Sequence, residues 1–122
     1  REVAGTTHSF YGFESRLPEA SSWDLHLTST RYDEPRAQEL VRAQRACLSI
    51  HGFTEPPPQP FTIYVGGRNE ALRSRVWRRL LEMQRVLPDL HVAEAPPHFS
   101  GRNPRNIMNL AREGGVQLEL SE

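Results

Sequence analysis

His51 and Glu119 are the two side chains that the surrounding pattern best equips for chemistry. His51 closes a short apolar run, Ala46 to His51, and Gly52 stands directly behind it. In an extended strand Leu48 and Ile50 share one face while Cys47, Ser49 and His51 share the other, so the imidazole can project from a strand end into a cleft. A neutral imidazole there can bind a metal ion or act as a base; the same position also suits a histidine that caps the sheet edge by bonding to backbone. Glu119 alternates with Val116, Leu118 and Leu120 near the end of the chain, on the face that carries Gln117 and Ser121. On a rigid strand beside a cleft its carboxylate suits a general base, because burial raises a carboxyl pKa towards neutrality. On an open sheet face it would be a solvated acid and nothing more.

A second group of candidates lies between these strands in sequence. Arg102, Arg105 and Arg112 accompany the amides Asn103, Asn106 and Asn109 in and just after the segment Gly101 to Asn109. A guanidinium fork matches a substrate carboxylate, and amides can hold a polar backbone. His26, beside Asp24 and Thr28, reads as a structural histidine held by hydroxyls within a strand. Cys47, in mid-strand, reads as a small buried apolar group rather than a nucleophile. His8, His91 and His98 are scattered, and no His-x-x-x-His or His-Glu-x-x-His spacing occurs. The arginines from Arg73 to Arg79 read as a solvated helix face. No serine nucleophile elbow and no glycine-rich phosphate loop are present.

These side chains need a scaffold, and the periodicity supplies one. Trp23 to Thr30 has strand character, and Pro35 opens a helical pattern through Gln44 with Asp33 or Glu34 near its start. Ala46 to His51 is a strand; Glu55 to Pro60, with four prolines, is a stiff connecting loop. Phe61 to Val65 is a strand that Gly66-Gly67 is expected to break. Asn69 caps a helix whose stripe is Leu72, Val76, Leu80 and Met83, ended by Pro88. Leu90 to Ala95 is a weaker strand, Asn103-Pro104 starts a short helix through Arg112, and Val116 to Leu120 is the last strand. This order predicts one α/β domain over residues 1–122, with a mixed, mainly parallel sheet flanked by helices.

Composition narrows the chemistry further. The 122 residues carry 15 cations, all arginine, against 15 acidic residues. Without lysine there is no amine nucleophile, Schiff base or phosphate-loop lysine. One cysteine excludes an intramolecular disulfide and a thiolate metal cluster. The balanced charge gives no overall basic field for nucleic acid or an anionic membrane, and no apolar run approaches a membrane span. The chain opens at Arg1 without a charged and apolar leader pattern, so no secretory signal is expected in it.

Six motifs come in a distinctive order: Phe10-Tyr11-Gly12-Phe13-Glu14; Leu25 to Thr30 with Asp33-Glu34-Pro35; Ser49-Ile50-His51-Gly52; Val65-Gly66-Gly67; Asn103-Pro104 with Asn106-Ile107 and Asn109; and Gly114 to Ser121. Together they resemble the poly-γ-glutamate hydrolase family, phage-related zinc peptidases with a carboxypeptidase-like α/β fold. The likeness runs from about Phe10 to Ser121. It implies zinc as cofactor, His51 as the family's second zinc-binding histidine, Glu119 as general base, and Arg102, Asn103, Asn106, Asn109 and Arg112 as a substrate-holding segment. It implies a glutamyl amide substrate, poly-γ-glutamate or a related one; the sequence does not determine the compartment, bacterial cytoplasm and release with phage at lysis both being open. Two departures accompany it. The family's first zinc ligands, a His and a Glu in a His-Gly-Gly stretch, would lie upstream, with a first strand and helix that this chain is expected to lack. The basic residue expected near Leu110 is missing there, Arg112 being the nearest, which leaves the partner of the substrate carboxylate open. The alternatives are a binding module that kept the fold without the metal, or a zinc amidase for another acyl-amino acid, its selectivity set by loops such as Gly52 to Pro60 and Ala95 to Gly101.

Overall fold

The computed structural model describes residues 5–12, 26–54 and 61–121. Its elements are α1 (Pro35–Ala43), β1 (Cys47–Phe53), β2 (Thr62–Gly67), α2 (Glu70–Gln84), β3 (His91–Glu94) and β4 (Gly115–Ser121), with 3-10 turns at Pro97–Phe99 and Ile107–Leu110. The strands form one sheet in the order β1-β4-β2-β3. β4 runs parallel to β1 and antiparallel to β2, and β2 runs parallel to β3, so the sheet is mixed.

Helix ends follow local chemistry. Glu34 caps α1, its carboxylate accepting from the amides of Arg36 and Ala37, and Pro35 occupies the first turn, where a missing N–H costs nothing. Asn69 caps α2 by accepting from Leu72 N–H at 2.9 Å. α2 stops at Gln84, before Pro88. Its stripe is Leu72, Val76, Trp77 and Leu80, since Met83 is 46% exposed.

The register sorts the sheet into two faces, because paired residues point the same way. One face carries Val116 and Leu118 of β4, Val65 of β2 and Val92 of β3; α2 packs there, and its Leu80, with Leu90 from the chain just before β3, completes the apolar core. α2 does not cover β1. Among the described residues β1 is the outermost strand, and its Leu48 and Ile50, which pair with Val116 and Leu118, are exposed. The other face carries Ser49, His51, Phe53, Gln117, Glu119, Tyr64 and Gly66, and the 3-10 turn at Ile107–Leu110 lies over part of it.

Three further sequence expectations change. The described part of the first strand, His26 to Thr30, is irregular chain ending in a turn; residues 23–25 and the proline loop 55–60 lie outside the described residues. The amides of Ile107 and Arg31 bond to the Ser29 and Thr28 carbonyls, so no sheet ladder is needed to satisfy that segment. Gly66 and Gly67 do not break β2 but lie within it. A Cβ on Gly66 would collide with the Ser100 carbonyl, so the bare backbone is what lets the following loop cross the sheet. The Asn103–Arg112 helix is a single 3-10 turn over Ile107–Leu110, because the Asn103 and Asn106 side chains bond to nearby amides and hold turns instead.

Candidate active site

β1 and β4 place His51 opposite Glu119, and β2 places Tyr64 opposite Glu119 on its other side. The two residues singled out by strand alternation are thus nearest neighbours across parallel strands and share one face. Glu119 is not solvated: it is 5% exposed. Phe53, Tyr64 and Phe99 form a cluster on that face, with ring centroids 5.2 Å apart for Phe53 and Tyr64 and 5.3 Å for Phe53 and Phe99. Burial pushes the Glu119 carboxyl up from 4.5 to about 7, while the Gln117 amide and the His98 charge pull it the other way. A carboxyl poised there is ionised in part of the population at neutral pH and can take and return a proton.

His51 is half-buried, and a hydrogen bond of 2.8 Å links its Nε2 to the Ser49 hydroxyl. Burial lowers its pKa below the usual imidazole value, and the nearby His26 lowers it further. The ring is therefore neutral at pH 7. In the tautomer whose Nε2–H donates to Ser49, Nδ1 keeps its lone pair for a cation or a proton. His26, read from sequence as a strand histidine among hydroxyls, instead lies in irregular chain close enough to His51 to act on its charge.

The loop from Ser100 to Leu110 forms a braced wall. Asn109 Nδ2 donates to the carbonyls of Gly101 and Asn103, both at 2.8 Å, and its Oδ1 accepts from Gly115 N–H. Asn103 Oδ1 accepts from Arg105 N–H, and Asn106 donates to Gln117. Arg102 reaches out to Glu94 at 2.9 Å, an exposed ion pair. The backbone N–H of Arg112 bonds to the Gln44 carbonyl where β1 and β4 begin, whereas His51 and Glu119 stand towards the other end of those strands. Of the expected substrate-holding residues, the structure thus employs Asn103, Asn106 and Asn109 as internal braces. Arg102 occupies the loop rim, and Arg112 sits at the opposite strand end.

Sequence reasoning passed over Gln117, Tyr64 and His98. Parity had already put Gln117 on the Glu119 face, two residues before it on one strand, but gave it no role. Tyr64 and His98 are brought in by strand order and by the Pro97–Phe99 turn, which no local pattern encodes. Cys47 keeps its structural reading, since burial raises its thiol pKa and leaves it protonated.

The sequence model of the poly-gamma-glutamate hydrolases matches residues 1–122. This chain belongs to that family. UPF0714 protein YndL of Bacillus subtilis (strain 168) is 33% identical over 115 residues, which are 93% of this chain and 43% of YndL. The SPbeta prophage-derived UPF0714 protein YoqZ of the same strain is 31% identical over 117 residues, 94% of this chain and 40% of YoqZ. Among solved structures, a bacteriophage poly-gamma-glutamate hydrolase superposes with a TM-score of 0.67 at 31% identity, covering 86% of this chain and 48% of that one. YndL in its zinc-free apo form gives a TM-score of 0.66 at 28% identity, with 84% and 48% covered. The chain therefore has the phage hydrolase fold and spans less than half the length of these family members.

The metal chemistry implied by the family can be set against the donors present. His51 fits one ligand position, a neutral imidazole with a hydrogen-bonded second nitrogen. A tetrahedral catalytic zinc takes about three protein ligands, and no group of three His, Cys, Asp or Glu residues that could hold a metal occurs among the described residues. No helix among those residues is long and apolar enough to cross a membrane.

Proposed function

We propose that this chain carries the proton-transfer half of an amide hydrolase acting on γ-glutamyl bonds. The carrying observation is the pairing of His51 and Glu119 across β1 and β4, with Glu119 buried and its pKa near 7. Glu119 takes a proton from the attacking water and returns it to the leaving amine nitrogen, which suits a group that changes protonation near working pH. Glu119 is 5% exposed, and the aromatic cluster of Phe53, Tyr64 and Phe99 shares its face of the sheet. His51 would supply one ligand for zinc, and a tetrahedral catalytic site takes about two more protein donors. Bound zinc would polarise the scissile carbonyl and acidify the attacking water.

A glutamyl polymer is recognised by its carboxylates. We assign that role first to Arg102, whose exposed pairing with Glu94 is exchangeable for a substrate carboxylate at little cost. Asn103, Asn106 and Asn109 hold the wall on which Arg102 stands, and Arg112 remains a further candidate through the same family pattern.

The test is release of glutamyl products from poly-γ-glutamate, with and without added zinc, by this chain and by a form extended upstream to the length of its relatives. The extended form should release product only with zinc, and Glu119→Gln should lower that release by roughly 100-fold or more. Absence of zinc-dependent release from the extended form defeats the assignment. Stoichiometric binding of the polymer without cleavage would favour a binding module instead.

A further inference from the structure

Behind Glu119 lies a hydrogen-bonded relay whose direction is set by two backbone groups. Met108 N–H can only donate, and it donates to Asn106 Oδ1 at 3.2 Å. The Asn106 amide is thereby oriented, and its Nδ2 donates to Gln117 Oε1 at 3.1 Å. At the other end the Phe99 carbonyl can only accept, and it accepts from Gln117 Nε2 at 3.2 Å. The same Nε2 donates to Glu119 Oε1 at 2.6 Å. Each amide orientation is therefore dictated from outside the pair, and both hydrogens of the Gln117 amide are spent on acceptors. Asn106, Gln117 and Glu119 are all buried, so water does not compete for these bonds. Gly101, at φ +61°, packs on the relay, and a Cβ there would come within 3.0 Å of Gln117 Oε1.

We propose that Gln117, oriented by Asn106, is a positioning residue that holds Oε1 of Glu119 and confines the proton carried by Glu119 to Oε2. A proton on Oε1 would face the N–H of Gln117, donor against donor, with no acceptor to receive it. When Glu119 acts, the water O–H bond breaks, an Oε2–H bond forms, and the electron pair stays on the water oxygen that attacks the carbonyl. This rests on the reading of Glu119 as general base, but the relay itself can be tested without turnover.

The experiment is infrared difference spectroscopy of the chain below pH 7, with Glu119→Gln as the subtraction partner that isolates the Glu119 carbonyl band. Gln117→Leu should shift that band to higher frequency, because the Oε1 carbonyl loses its donor. Asn106→Asp provides a second variant with Gln117 intact. Its carboxylate attracts the Gln117 amide hydrogens away from Glu119, and the band should again move. A band unmoved in both variants overturns the proposal. In the form of the protein that hydrolyses poly-γ-glutamate, Gln117→Leu should lower kcat roughly tenfold or more at unchanged KM and displace the acidic limb of the pH profile. A shifted band with unchanged kcat and pH profile overturns the catalytic role. If wild type shows no hydrolysis in any form, the functional assignment fails, and the infrared result still decides whether Gln117 governs the proton.

Discussion

Replacing Glu119 by glutamine should make the folded chain more stable in neutral and alkaline solution, and the size of the gain follows from the site. The folded carboxyl has its pKa raised from 4.5 to about 7. Between those values the folded state holds a proton that the unfolded chain has already released. Folding stability contributed by this group is therefore whole below pH 4.5, falls as pH rises through about 7, and is level beyond. At about 1.4 kcal/mol per pH unit, the full loss is about 3 kcal/mol. Glu119→Gln keeps an acceptor for Gln117 Nε2 and has no charge to bury, so the loss disappears. The assay is urea unfolding of both proteins from pH 4 to pH 9 with a chelator present. The difference in unfolding free energy should be flat in acid and grow towards about 3 kcal/mol by pH 8, roughly 10 °C in Tm. Subtraction also removes His51, whose lowered pKa works in the opposite sense, with stability lost as pH falls below 6.5. A difference that does not change with pH would refute the claim that Glu119 is desolvated.

Other expectations follow from packing and from the loop. Met108, 1% exposed within the 3-10 turn of the loop, should cost about 2–5 kcal/mol on change to alanine. Ile50→Thr, at a site 60% exposed, should stay within about 0.5 kcal/mol, both read by urea unfolding. Asn69→Ala should cost about 1 kcal/mol by losing the α2 cap. Arg102→Ala should raise KM for poly-γ-glutamate in the active form with little change in kcat; an unchanged KM removes Arg102 from substrate recognition. Cys47 should react with a thiol reagent at pH 8 far more slowly in the folded chain than in urea, because burial keeps it protonated.

Local order determined much of this protein. Glu34 with Pro35, and Asn69, marked the two helix starts because a cap needs only a side-chain oxygen within reach of the next turn's amides. Strand alternation placed His51 with Ser49 and Glu119 with Gln117, since side-chain parity in a strand is a property of one chain segment. Alternation could not say which face would be buried. On β1 the apolar pair Leu48 and Ile50 is exposed while the polar parity faces inward, because α2 reaches only as far as β4. The strand order β1-β4-β2-β3 set His51 beside Glu119 and Tyr64 beyond it, a juxtaposition of residues 68 and 55 positions apart in sequence that depends on which strands pair. The amides from Asn103 to Asn109 looked like substrate ligands in sequence, and the folded chain spent them on nearby backbone groups and on Gln117. Residue types told what could titrate or donate. Only the folded chain decided which of those groups lost their water, and desolvation is what brings a glutamate pKa near 7.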